Sequence, residues 1–179
     1  MGDPKFPKKK YKKPFQPWQK DRMAIELELV GKYGLRNKKE YLRHEAYLRK
    51  IREQTRQILA VLETEKREKA EKELISRLAR LGLISKEAVI DDVLSLTTEG
   101  LLKRRLQTIV FRLGFAKSIH HARQLLAHGH IALRSQKVTS PSRLMLKEEE
   151  NELTYAVASP YMEENHPERP STPIHEVKE

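Results

Sequence analysis

The sequence predicts an α+β chain: a helical N-terminal region, then a small unit of two helices followed by antiparallel strands, with a basic extension in front and an acidic tail behind. Three observations predict it. Apolar residues recur at steps of three and four from Asp21 to about His128, which is the helical period. After Gly129 the pattern changes to partial alternation, the period of strands. Both ends are poor in the aliphatic residues that a core requires. The chain has 179 residues, enough for one domain or two small ones.

The opening stretch "MGDPKFPKKKYKKPFQPWQK" carries Phe6, Tyr11, Phe15 and Trp18 among lysines and prolines. It cannot form its own core, so it is read as an extension over residues 1–20. Its Lys8, Lys9, Lys10, Lys12 and Lys13 suit phosphates, while the rings can stack on bases or pack on the body; a tail without function is the alternative. A first helix starts near Asp21, a candidate N-cap, and ends at Gly31 and Gly34. Asn37 caps a longer one, with Tyr41, Leu42, Tyr47, Leu48, Ile51, Ile58, Leu59 and Leu62 as its apolar side. "ETEKREKAEKELISRLARLG" reads as an exposed helix held by Glu–Lys pairs and ending at Gly82. Ser85 is expected to cap a short helix through Ile90 and Val93.

Thr97 or Thr98 caps the next helix, predicted to run unbroken to Leu113. It puts Leu102, Leu106, Ile109, Val110 and Leu113 on one stripe, with Lys103, Arg104, Arg105 and Arg112 off it. Gly114 ends it. Ser118 caps a second helix, stopped by Gly129. Beyond, Ile131, Leu133, Val138, Leu144, Leu146, Leu153, Tyr155 and Val157 predict three or four short strands. The expected domains are 1–20, 21–97, 98–160 and an acidic tail over 161–179.

Charge localises the partner. The chain carries 36 Lys plus Arg against 25 Asp plus Glu, a formal net charge of +11, which points to a polyanion. Residues 101–145 hold nine basic side chains and not one carboxylate, whereas 146–179 hold nine acidic and three basic. Phosphates are expected at the first of these segments; a basic face serving only solubility is the bland alternative. With no cysteine, disulfides, thiolate nucleophiles and cysteine-bearing zinc sites are excluded. No apolar run is long enough to span a bilayer and no signal-peptide core is present, so a soluble cytoplasmic protein is expected.

"SIHHARQLLAHGHI" concentrates four histidines in Ser118–Ile131. At about 100° per residue, Ile119, Ala122, Leu125 and Leu126 share the core side, and His120, Gln124 and His128 the opposite one, with His121 beside them and Arg123 at the border. A metal would want imidazoles three or four residues apart; His120 and His128 are about 12 Å apart along the axis, and no acid nearby completes a set with His128 and His130. Catalysis would want a nucleophile and an acidic orienter, which the segment lacks. Contact with phosphates and bases remains, as does simple exposure.

The run "LLKRRLQTIVFRLGFAKSIHHARQLLAHGHIALRSQKVTSPSRL", Leu101 to Leu144, closely resembles the RNA-binding domain of the small-subunit ribosomal protein S-four family, joining "RRLQT", "RLGFAKS", "HARQL" and "HGHI" at the family's spacing. The start "MGDPK" and the lack of an inserted cysteine set look like the archaeal and eukaryotic branch, archaeal by preference. The resemblance implies a structural protein of the 30S subunit that binds 16S ribosomal RNA early in assembly. It also implies the subunit's proteins number five and twelve as neighbours, and a part in decoding accuracy. It assigns RNA contact to Arg104, Arg105, Arg112, Lys117, Ser118, His121, Arg123, Gln124, His128 and His130; the helix face adds His120, and the hairpin that follows adds Arg134 and Lys137. Many relatives turn that hairpin with glycine, where this chain has Arg134-Ser135-Gln136-Lys137, so a looser turn is expected. The same domain is attached to some RNA-modifying enzymes and synthetases, but the residues before it show no phosphate loop or carboxylate constellation. No enzyme, cofactor, metal, membrane or small-molecule substrate is therefore expected. A free RNA-binding assembly or stress factor is the alternative.

Overall fold

A computed structural model describes residues 2–170 apart from 3, 7, 86, 164 and 165; the end of the expected acidic tail, 171–179, lies outside the described residues. The chain is α+β, with helices α1 (Lys20–Lys32), α2 (Lys38–Leu59), α3 (Thr64–Arg80), α4 (Ile90–Ser95), α5 (Thr98–Lys103), α6 (Leu106–Arg112) and α7 (Ile119–His128). Strands β1 (Ile131–Leu133), β2 (Gln136–Lys137) and β3 (Leu153–Tyr155) form an antiparallel sheet in the order β2-β1-β3, with Ala132 facing Lys137 and Thr154. Short 3-10 helices cover Glu148–Glu152 and Pro160–Met162.

Most start and stop signals act as read. Asn37 Oδ1 accepts from Glu40 N at 3.2 Å and Ser118 Oγ from His121 N at 3.1 Å, each satisfying one of the donors a helix start leaves free. Gly129 ends α7 in the left-handed region, at φ +76°; a Cβ there would also lie 1.8 Å from Lys137 Cε. Thr97 caps α5, accepting from Gly100 N at 3.4 Å. Two caps differ. Asp21 falls inside the first turn of α1, behind Gln19. The helix expected from Ser85 starts only at Ile90, because Asp92 reaches back to accept from Val89 N.

The larger departure is at Arg104-Arg105, where the helix expected over 98–113 is broken into α5 and α6. Arg105 is extended, at φ −68° and ψ 140°, and bridges to Leu144. Leu106 N donates to Arg143 O at 2.8 Å and Gln107 N to Pro141 O at 3.3 Å. The open N–H groups of α6 are thus satisfied from residues 141–143, which leaves the helix free to start afresh.

Among the described residues, three apolar clusters hold the chain together. Leu106, Ile109, Val110, Ala122, Leu125, Leu126, Ile131, Leu133, Met145, Leu153, Tyr155 and Tyr161 bury the inner side of α6, α7 and the sheet. Tyr33, Leu35, Tyr41, Leu42 and Leu102 bring α5 against the join of α1 and α2, with Tyr11 of the basic extension packed on them. Ile51, Leu74, Leu78 and Val93 unite α2, α3 and α4. Leu102 thus packs with the helical region, although it belongs by sequence to the unit expected from residue 98. Tyr161, read as the first residue of a tail, is core, whereas Val157, read as a strand residue, is exposed.

The hairpin is tight, not loose. Leu133 pairs with Gln136, leaving a two-residue turn in which Arg134 and Ser135 both take positive φ, 49° and 67°. That is the turn whose twist suits an antiparallel pair. The expectation from residue type fails because strand pairing on both sides outweighs the modest cost of the left-handed conformation.

Candidate nucleic-acid interface

The outer side of α7 is built by its core side. With Ala122, Leu125 and Leu126 buried, the helical period turns His120, Gln124 and His128 to solvent, and all three are exposed. Ser118 and Lys117 stand at its start and Arg112 at the end of α6, all exposed. Lys137 is exposed beside Gly129, and Arg134 on the hairpin is exposed while paired with Glu152. Lys8, Lys9, Lys10, Lys12 and Lys13 are exposed along the extension, where Lys9 Nζ lies 4.9 Å from the Tyr11 ring centroid. Among the described residues, no group of three His, Cys, Asp or Glu side chains is arranged to hold a metal.

His121 and His130 are half-buried. The Lys117 N–H donates to His121 Nδ1 at 3.3 Å, and His130 Nδ1 is 2.9 Å from Ser159 Oγ. Burial holds the His130 pKa below the ordinary range, helped by the charges of His128, Lys137 and His166. His130 therefore favours its neutral form as pH falls toward the ordinary histidine value.

Three of the arginines read as RNA-facing are engaged by carboxylates within the chain. Arg105 is 0% exposed: its Nη2 donates to Glu40 Oε2 at 3.0 Å and its Nη1 lies 3.1 Å from His44 Nε2. Arg123 grips the same carboxylate with both Nη atoms, at 3.1 Å and 2.7 Å. Arg104 is engaged by Glu150 and donates to Met145 O at 3.1 Å. Arg105 is thus corrected from contact residue to buried ion-pair partner, for a definite reason. A helical wheel drawn through residues 98–113 runs across the break at 104–105 and puts Arg105 on the wrong side. Arg105→Ala should therefore damage the fold.

Glu40, His44 and Gln107 are the residues that sequence reasoning missed. Gln107, fully buried, donates to Gly34 O and Ile119 O, both at 3.0 Å, and accepts from Arg123 at 3.3 Å. Gly34 permits this approach: it is at φ +56°, and a Cβ would lie 2.9 Å from Gln107 Nε2 and 3.0 Å from Ile119. The network joins the start of α2 to α6 and α7. Its one hint in the sequence is the absence of any acid from 101–145, which obliges buried arginines there to find a carboxylate far along the chain.

The network is acid-sensitive. Burial raises the Glu40 pKa, but hydrogen bonds from Arg123 and the charges of Arg105 and Arg123 outweigh it and bring the pKa to about 2. Burial, aided by the positive charges of Arg105 and Arg43 against the opposing pull of Glu40, lowers the His44 pKa to about 4. Both folded values lie below the unfolded ones, so the stability they contribute is present at neutral pH. It should be lost from about pH 6.5 down to 4 through His44, and from about 4.5 down to 2 through Glu40. Urea unfolding at about pH 7 and about pH 5 should show the earlier loss in the wild type and much less of it in His44→Gln; equal loss in both would contradict this account.

A family model described as the S4 domain matches residues 104–150. Similar chains include the small ribosomal subunit protein uS4 of Ignicoccus hospitalis, 52% identical over 161 residues that cover 90% of this chain and 96% of that protein. The uS4 of Hyperthermus butylicus is 52% identical over 161 residues, covering 90% and 91%, and that of Saccharolobus solfataricus 48% identical over 162 residues, covering 90% and 89%. With likeness of that degree along nine-tenths of its length, and an exposed basic face on the matched domain, the chain belongs to the uS4 family of small ribosomal subunit proteins, among archaeal relatives.

Proposed function

We propose that this protein is a structural constituent of the 30S subunit in the cytoplasm, and that it binds 16S ribosomal RNA directly through the outer side of α7 and its surroundings. The observation that carries the reading is the strip His120, Gln124 and His128, exposed on a domain whose sequence over 101–145 holds nine basic groups and no acid. The imidazoles and the amide donate to phosphate oxygens or stack on bases, and Arg112, Lys117, Ser118 and Lys137 neutralise or hydrogen-bond the backbone around them. His121, His130, Arg134 and the lysines of the extension extend the contact. Arg104 and Arg123 contribute through the faces their ion pairs leave open. The protein acts by binding, not catalysis: it helps nucleate assembly of the subunit body, lies against the subunit's proteins number five and twelve, and contributes to decoding accuracy.

Phosphate neutralisation makes affinity salt-dependent, because each contact releases condensed counterions. The affinity for a 16S transcript should fall linearly in log–log form, by about 10³-fold between about 50 and 200 mM salt if about six phosphates are engaged. A flat profile would contradict the basic-face mechanism. Stable sedimentation of the endogenous protein with the small subunit supports the structural role; recovery only in free fractions would favour a free assembly or stress factor.

A further inference from the structure

Beyond β3 the chain turns back over the start of α7. Ser159 is buried; its Oγ lies beside His130 and accepts from the Tyr161 N–H at 3.2 Å. Tyr161 stacks on Tyr155 with centroids 6.0 Å apart and is ringed by three imidazoles: His130 at 5.0 Å, His121 at 6.1 Å and His166 at 4.4 Å. The turn through residues 166–169 is strapped down by separate contacts. Tyr161 OH donates to Glu168 Oε2 at 2.5 Å, and Lys117 Nζ donates to Pro167 O at 3.0 Å. Arg169 lies 5.3 Å from the Tyr155 ring centroid and donates to Met162 O at 3.4 Å. The 166–169 turn and Tyr161 therefore lie against residues counted as RNA contacts: Lys117, which bonds Pro167 O yet stays exposed, and the half-buried His121 and His130 beside the Tyr161 ring.

The charge arrangement gives the contact a meaning. The segment 101–145 has no carboxylate of its own, and at this end of its basic face the carboxylate is supplied by Glu168. The Tyr161 hydroxyl holds that group below the ordinary carboxylate range against the opposing effect of burial, and the charges of His121, His166 and Lys117 add to the lowering. Glu168 thus places an anion on the Tyr161 hydroxyl, within electrostatic reach of Lys117 and His121.

We propose that Glu168 is a specificity-determining residue that stands in for a phosphate at the Lys117–His121 end of the interface, so that RNA engages this end only by displacing the 166–169 turn. The inference rests on the RNA-binding reading above. A polyanion that offers phosphate alone exchanges one anion for another there and gains little. An RNA that also offers an unstacked base to Tyr161 and its imidazoles gains contacts the turn does not give, so the exchange favours RNA with such a base at this end over a polyanion without bases.

The test compares the full-length wild type with Glu168→Gln and with a chain ending at Glu163, using inorganic polyphosphate and a 16S transcript as probes. Both variants should bind polyphosphate roughly three- to tenfold more tightly at low salt, with a steeper salt slope, because one more phosphate is engaged. Binding to the 16S transcript should change less than binding to polyphosphate. Adding Lys117→Ala should abolish the gain. Thermal melting separates displacement of the turn from general loosening, since Tyr161 and its core contacts remain in both variants. If the wild type binds both probes with a clear salt slope but neither variant gains on polyphosphate, this proposal falls while the RNA-binding reading stands. Equal loss of affinity for both probes with lowered melting also overturns it. A wild type that does not bind the 16S transcript overturns both.

Discussion

Replacing Glu40 with alanine is expected to lower folding stability by about 3–5 kcal/mol, because it leaves the Arg105 guanidinium buried without its counter-charge. The size follows from position. Arg105 is fully buried and Glu40 nearly so, with 0% and 13% of their side chains exposed. Surface ion pairs such as Lys66–Glu63, 73% and 64% exposed, are worth little when removed. Breaking a buried pair is costly because the remaining ion has lost its hydration and cannot regain it without unfolding. Adding Arg105→Met to Glu40→Ala should recover much of the loss, since the apolar substitute needs no partner, and a double-mutant cycle by urea unfolding at neutral pH measures it. A loss under about 1 kcal/mol for Glu40→Ala would show that water reaches Arg105 and that the network does not join α2 to the matched domain in the way described.

Leu126→Ala is expected to cost about 2–5 kcal/mol, from lost burial and the cavity left behind. Leu126 is 0% exposed among Ala122, Leu125, Ile131 and Met145, all of them buried, so the surroundings have little room to collapse. The neighbouring exposed positions supply the control: Gln124→Ala and His128→Ala should stay within about 0.5 kcal/mol of the wild type while weakening RNA binding. If the three variants unfold alike, the assignment of the two sides of α7 is wrong.

The histidine helix was fully legible in the sequence. Its Ser cap, its Gly stop and its two sides are local properties, governed by 3.6-residue periodicity and by side chains bonding to backbone within three or four positions. The α+β class was legible for a related reason, since the change from helical period to alternation is written directly in the order of apolar residues. Family membership was also legible, because "RRLQT", "RLGFAKS", "HARQL" and "HGHI" occur in one order at one spacing.

The break at Arg104-Arg105 was not legible. Its cause is a set of backbone bonds to residues 141–143, some 35 positions away, and no periodicity within a window contains that information. The positive φ at Arg134 and Ser135 was missed for a similar reason: residue type argues against it, and pairing of the strands on both sides enforces it. The folding of residues 166–169 over Lys117 and His121 is likewise set by Tyr161, a residue that composition assigned to a polar tail and packing assigned to the core.

The amino-acid order by itself therefore determined which segments are helical or extended, where most of them start and stop, and that the basic charge gathers after residue 100. Only the tertiary structure decided which of those basic groups are free. A guanidinium looks the same in sequence whether it meets water, RNA or a carboxylate; Arg105 and Arg123 were committed to Glu40, 65 and 83 residues away, when the helices packed. The physical reason is that a charge removed from water must be compensated within hydrogen-bond reach, and that reach is set by the fold in three dimensions, not by separation along the chain.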